Sequence, residues 1–144
     1  MKTQNYENHV RMHPIYHYFL TLLVLASLIT AVVNLVLSLQ SGENVWSALA
    51  ILLMAAAFVL TFILLRIYPL RAQDRAIRAE ESLRHFILTG KPLDSRLTMG
   101  QIVALRFASD KELLELSIAA AEEELSPKDI KKRIVEWRSD HNRI

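Results

Sequence analysis

The sequence predicts an all-α membrane protein: a two-helix transmembrane hairpin followed by a cytosolic helix and a small three-helix C-terminal cap. Three observations carry this expectation. Phe19 to Leu39 and Val45 to Leu65 are apolar runs without a charged residue, and each is long enough to cross a hydrocarbon core of about 30 Å, which takes roughly 20 helical residues. Only Gln40 to Asn44 separates them, so the spans run antiparallel. Beyond the second run, apolar residues recur at helical spacing between helix-start signals. The expected organisation is a polar, His-rich cytosolic lead over 1–14, the hairpin over 15–68 and a cytosolic helical region over 69–144.

Length limits what else fits. In 144 residues, 52% of them hydrophobic, the hairpin leaves room for one helical appendage but not for a large catalytic core. An appendage of roughly fifty positions is near the lower limit for a self-sufficient apolar core, so it is expected to lean on the membrane or on a partner. The absence of cysteine rules out disulfides, iron–sulfur ligation and thiol nucleophiles. A net charge of +2 with a pI near 9.0 reflects arginines gathered beside the spans more than a nucleic-acid surface. The first apolar run is too long for the core of a signal peptide and is expected to stay in the mature protein.

Taken in order, the opening from Gln4 to Tyr18 holds three of the five histidines. Pro14 suits a first helical turn, where its missing N–H is not needed, with His13 near the cap. Tyr16, His17 and Tyr18 then fall at headgroup level. Ser27, Thr30, Ala31 and Asn34 in the first span, and Ala50, Ala57 and Thr61 in the second, form small or polar stripes that would let another helix approach. Asn34 is read as an interhelical hydrogen-bonder. The connecting loop contains Gly42 and one charge, Glu43, whereas Lys2 and Arg11 precede the first span and Arg66, Arg71, Arg75 and Arg78 follow the second. The positive-inside rule then places both termini in the cytoplasm, with Trp46 at the outer interface and Tyr68 at the inner one.

Pro69 is expected to break or kink the helix. A further helix over Leu70 to Leu88 would carry a narrow seam of Ala72, Ala76, Ala79, Leu83 and Phe86, with the Ala72, Ala79 and Leu83 side facing the lead or the last three helices. Asp74 and Arg78, Glu80 and Arg84, and Glu81 and His85 are four-residue acid-before-base pairs. Gly90 and Pro92 stop this helix. Thr98 with Gln101 and Ser109 with Glu112 fit the capping box, and Ser126 precedes Pro127 at a third helix start. The three short helices would bury Ile102 and Leu105; then Leu114, Ile118, Ala121 and Leu125; then Ile130, Ile134 and Trp137. Asp140 to Ile144 would form a polar tail.

Two stretches carry a resemblance: the opening Asn5-Tyr6-x-Asn8-His9-x-Arg11-x-His13-Pro14-x-Tyr16-His17, and Gln101 to Asp110 with the downstream Trp137-Arg138-x-Asp140. Together they resemble a family of small bacterial two-span membrane proteins of unknown function. The resemblance covers nearly the whole chain and implies architecture. It brings no catalytic residues with it.

His9, His13 and His17 are spaced by four, which on an unbroken helix would align three imidazoles for a transition metal or haem. Pro14 interrupts that register, and a fold-level role is the competing reading, with Asn5, Asn8, Arg11 and the histidines bonding to the cytosolic helices. Arg66, Arg71, Arg75 and Arg78 are candidates for contact with anionic lipid headgroups. Lys128, Lys131, Lys132, Arg133 and Arg138 lie near Glu122, Glu123 and Glu124 and read as a solvated face rather than a nucleic-acid helix. The sequence therefore points to a non-enzymatic protein of the cell membrane. Its cytosolic helices would form an interaction or regulatory module, through self-association or a membrane-protein partner. The alternative is a metal- or haem-binding membrane protein using the N-terminal histidines, and a third reading is a transporter accessory subunit.

Overall fold

The computed structural model describes residues 4–9 and 12–140. Two long apolar helices are followed by three short ones, and the described residues form no strands. Helix α1 spans Ile15–Ser41, its opening Ile15–Leu20 wound as a π-helix. Helix α2 spans Val45–Thr89, α3 Met99–Leu105, α4 Asp110–Glu122 and α5 Pro127–Arg133. The chain divides into two compact units, one of residues 12–69 and one made of residues 1–11 with 70–144. Lys2 and Arg11, used above for topology, lie outside the described residues, as does the tail beyond Asp140.

The hairpin unit starts as its sequence requires. Pro14 has helical dihedrals, and the His17 N–H reaches the His13 carbonyl at 3.0 Å. Gly42 ends α1 in the left-handed conformation at φ +76°, which glycine adopts without a Cβ penalty. Asn44, at φ +57°, completes the turn, and its carbonyl accepts the Ala48 N–H. The buried positions are Ala31 and Ser38 on α1 and Ala48 and Ala55 on α2. Ala31 and Ala55 lie at equal chain distances from Glu43, as do Ser38 and Ala48, so the two seams face each other. Half-buried Val24, Leu28 and Leu35, and Val45, Leu52, Val59 and Phe62, extend them at alternating spacings of three and four, the seam of a close left-handed crossing. Tyr16 adds a tie: its hydroxyl donates to the Phe62 carbonyl at 2.7 Å, and the two rings stack at 4.7 Å.

The packing face differs from the expected one. Ser27, Thr30, Asn34, Ala50, Ala57 and Thr61 are exposed within this chain, and only Ala31 of the expected stripes is buried. Both helices are apolar all round, so small residues occur on several sides and size alone does not select the contact.

The second unit contains the core, formed by Leu97, Ile102, Ala104, Leu105, Phe107, Leu113, Leu116, Ala120, Ile130 and Ile134 among others. The helix break expected at Pro69 does not occur, because α2 continues through it to Thr89. One lost hydrogen bond and a local clash cost about 3 kcal/mol, which the regular turns on both sides offset. Gly90, at φ +68°, supplies the stop, its N–H bonding to Phe86. Over residues 70–89 the packed face is Ile77, Glu81 and His85. The Ala72, Ala79 and Leu83 side expected to pack inward is exposed instead. In α4 the buried residues are Leu113, Leu116, Ser117, Ala120 and Ala121, whereas Leu114 and Ile118 are about half exposed. The helix is thus rotated from the expected face, because Glu112 is drawn toward 135–136 and sets its start. Ile102, Leu105 and Ile130 are buried as their helical spacing predicts, whereas α5 ends at Arg133, so buried Ile134 and half-buried Trp137 reach the core from extended chain and not from the expected third helix.

Local signals at two of the three helix starts hold in detail. At α3 the Gln101 N–H bonds the Thr98 hydroxyl while the Gln101 side-chain oxygen accepts from the Thr98 N–H at 2.8 Å, a complete capping box. Ser126 accepts the Asp129 N–H ahead of Pro127. Ser109 makes no such cap, because the Glu112 carboxylate accepts the Val135 and Glu136 N–H groups as well as the Ser109 hydroxyl. At Gly100 a Cβ would lie 3.0 Å from Pro127 Cγ, so the absence of a side chain lets α3 and α5 approach. The Gln101 amide also donates to the carbonyls of Ala120 at 2.9 Å and Leu125 at 3.0 Å, joining the start of α3 to the end of α4.

Two predictions follow from these contacts. Gln101→Leu removes the side-chain donor to both carbonyls, leaving Ala120 only the Leu125 N–H at 3.3 Å, together with half of the capping box, and should destabilise the full chain in detergent by about 2–3 kcal/mol in a denaturant titration. Gln101→Glu keeps the cap acceptor but turns a buried carboxylate oxygen toward two carbonyl oxygens, so it should cost at least as much; an unchanged midpoint in both would refute the joining role. Asp94 accepts the Arg96 guanidinium at 2.7 Å and the Arg96 N–H at 2.9 Å, which hold its carboxyl down at about 2 instead of 3.8. Because the folded value is depressed, this contribution is complete above pH 3.8 and disappears as the pH falls through about 2. An NMR titration of Asp94 should show that midpoint, and Arg96→Ala should return it toward 3.8.

Candidate functional site

A cleft of about 580 Å³ in the second unit gathers most of its buried charge. Ile77, Leu83, Ile87 and Leu88 of α2 form an apolar wall, and Glu81, Arg84, Arg106, Asp110, Arg138 and Asp140 supply the polar groups. Helical spacing puts Ile77, Glu81 and Arg84 on one side of α2. Arg106 follows the last turn of α3 and Asp110 starts α4. Residues 136–138 run extended beside 107–109: the Arg138 N–H donates to the Phe107 carbonyl at 2.8 Å and the Ser109 N–H to Glu136 at 3.1 Å.

These charges satisfy one another. Arg84 donates from Nη1 to Glu81 at 2.9 Å, from Nε to Asp110 at 2.7 Å and from Nη2 to the Ala108 carbonyl at 2.8 Å. Arg138 approaches the other Glu81 oxygen at 3.4 Å. The Glu81 and Arg84 side chains are only 7% and 11% exposed, so neither charge could be held there alone. Arg106 Nε lies 3.1 Å from Asp140, and its guanidinium sits 4.5 Å from the centre of the Phe107 ring. The four-residue pairs expected along α2 do not form: Arg84 turns to Glu81 and Asp110, and His85 points its Nδ1 at the Lys91 carbonyl at 3.0 Å. The guanidinium takes the site that offers three acceptors over one exposed helical partner. Chemically, the network is a clasp binding α2 to the turn between α3 and α4 and to the C-terminal segment.

The predicted histidines are placed as follows. His9, in the second unit, directs Nδ1 to the Tyr6 carbonyl at 2.6 Å, with Lys131 Nζ 3.3 Å from Nε2. A neutral ring carrying its proton on Nδ1 suits both contacts. Its ring lies 5.8 Å from Phe107 and 5.7 Å from Trp137. In the hairpin unit His17 turns Nδ1 to the His13 carbonyl at 3.0 Å. Among the described residues no group of three or more His, Cys, Asp or Glu could hold a metal ion. Asn5 and Asn8 close a local turn, with Asn5 Oδ1 accepting the N–H groups of Glu7 and Asn8. Gln4 and Asp140 exchange two hydrogen bonds, joining the lead to the C-terminal segment.

Arg66 is half-buried and continues the hairpin seam, whereas Arg71, Arg75 and Arg78 are exposed along one side of α2. In the basic C-terminal run, Arg133 pairs with Glu123 at 2.7 Å, a hydrogen bond that holds the Glu123 carboxyl below its usual range. The polar residues that matter most here, Glu81, Arg84 and Arg106, were not singled out as site residues by sequence reasoning. Their one visible signal is a charged residue at an apolar-periodic position, as for Glu81 four residues after Ile77.

A family model matches residues 1–144. The chain belongs to DUF6526, a family of unknown function. No curated protein and no solved structure matches it. The family assignment therefore spans both units of the DUF6526 chain without attaching a reaction to the charged cleft.

Replacing Arg84 tests whether the cleft is a clasp. Arg84→Met should lower stability by about 3–5 kcal/mol, because Glu81 remains buried without its main partner. Arg84→Lys should recover little, since one ammonium cannot reach three acceptors in the geometry of the guanidinium fork. Thermal denaturation of the purified full chain reads both effects, and wild-type midpoints would refute the clasp.

Proposed function

We propose that this chain is a non-enzymatic integral membrane protein with two spans and both termini in the cytoplasm, whose extramembrane helices act as an interaction or regulatory module. The observation carrying the membrane part is the exterior of the hairpin. Only 6% and 11% of the most apolar windows of the two long helices are buried, while Leu22, Ile29, Leu39, Leu53, Phe58 and Leu60 all remain more than 60% exposed. A soluble protein buries its most apolar helices, but a lipid-facing helix need not. Hydroxyls on this exterior turn back to their own backbone, Ser27 to Val24, Thr30 to Ala26 and Thr61 to Ala57, a behaviour suited to a medium without water.

Topology rests on charge: Glu43 is the only charged residue of the turn, whereas four arginines follow the second span. Exposed Arg71 and Arg78 are then available to anionic headgroups, each contributing about 1 kcal/mol. The module reading is supported by the cleft, whose acids and arginines are committed to one another, and by the exposed apolar side chains of α2 and α4. Partners of the module are another membrane protein or a second copy.

Alkaline carbonate extraction with reporter fusions checks this reading. The chain should stay in the membrane pellet, and reporters fused after Arg78 and after Asp140 should be active only in the cytoplasm. Release by carbonate would sink the membrane reading, and an externally active reporter after Arg78 would reverse the topology.

A further inference from the structure

Opposite Ile77 and Glu81, α2 carries an apolar stripe that is exposed among the described residues. Ala72, Ala76, Ala79, Leu83 and Phe86 recur at spacings of four and three, and all are exposed; Leu83 and Phe86 are 60% and 54% exposed. In a heptad frame Ala76 and Leu83 occupy the a positions, and Ala72, Ala79 and Phe86 the d positions. Ile77, Glu81, Arg84 and His85, which face the rest of their unit, then fall at b, f, b and c, the outward side of such a coil. Leu83 also borders the cleft, but it remains 60% exposed, so the stripe stays accessible along its length.

We propose that this stripe is a parallel, two-fold symmetric dimer interface with a second copy of the same chain. Charge complementarity selects that occupant. Arg75 is a g residue and Glu80 the e residue of the following heptad position, so in a parallel pair each Arg75 meets Glu80 of the other copy, twice per dimer. Neither residue has an ion-pair partner within its own chain among the described residues. An antiparallel pair would set g against g, and Arg75 and Ser82, the g residues of the stripe, include no acid. Three alanines let two backbones approach closely, which suits a helix partner, whereas a face resting on lipid would gain from larger side chains.

The stripe covers two heptads, too few for a stable coil in dilute solution. The proposal rests on the membrane reading for the remainder: copies inserted with the same topology are already parallel, and confinement raises their effective concentration. The interface makes self-association the specific form of the module proposed above.

Because the chain contains no cysteine, single replacements report proximity without background. In isolated membranes, oxidation of Ala76→Cys, Ala79→Cys and Leu83→Cys should give at least about fivefold more disulfide dimer than Arg71→Cys and Arg78→Cys, which lie off the seam. Arg75→Glu in the Ala79→Cys background should cut the dimer by about fivefold, the scale of an exposed ion pair, and adding Glu80→Arg should restore it. Equal yields at all five positions, no dimer at any, or no rescue by the double reversal would overturn the interface. Carbonate extraction of the same samples reads the membrane reading separately. Seam-specific dimer in carbonate-released protein would support the interface while refuting insertion, and membrane-retained protein without seam dimer would do the reverse.

Discussion

Burial of Glu81 is the constraint on which the helical unit depends. A carboxylate removed from water needs compensating donors, and Arg84 and Arg138 provide them. Arg84 is then positioned to take the Ala108 carbonyl and Asp110, which places the turn between α3 and α4 against α2. Arg138 comes from the extended segment whose backbone bonds to Phe107 and Ser109. One acid on α2 thereby draws together three separated stretches, and the fully buried Phe107 lies beneath them.

The N-terminal lead completes the same unit from the other end of the chain. Gln4 exchanges hydrogen bonds with Asp140, whose carboxylate meets Arg106. His9 fills the space beside Phe107 and Trp137 and faces Lys131. The short polar lead and the segment ending at Asp140, each unable to form a core, share the same aromatic and charged groups. For a unit this small, such cross-ties supply what a larger apolar core would otherwise provide.

The hairpin follows a different rule. Its two helices keep small residues at Ala31, Ala48 and Ala55 for mutual contact and turn large apolar side chains outward. Within this unit close packing of small residues, and not burial of leucine, marks the faces that meet. The second unit instead buries large apolar side chains, with Leu113, Ile102 and Ile130 inside. Helix α2 takes part in both, with Ala48 and Ala55 in one unit and Ile77, Glu81 and His85 in the other.

What the sequence by itself determined was everything set by nearest neighbours and by length: two apolar helices, the turn at Gly42, the stop at Gly90, the capping box at Thr98 and the Ser126-Pro127 start. These depend on backbone dihedrals, local donors and hydrogen bonds a few residues apart. Tertiary structure decided which faces those helices use. The seven- and four-residue spacing of Ala72, Ala79 and Leu83 is that of a buried seam, yet Ile77, Glu81 and His85 are packed, because the distant Ala108 and Asp110 make an inward arginine at 84 favourable. Leu114 and Ile118 yield to Leu113 and Ser117 because Glu112 is held by the amides of 135 and 136. The spacing of His9, His13 and His17 allows a ligand set that Pro14 interrupts, and the actual surroundings of His9 come from residues 107, 131 and 137. A periodic pattern shows that a helix has an apolar side; which side is covered depends on partners that sequence spacing does not encode.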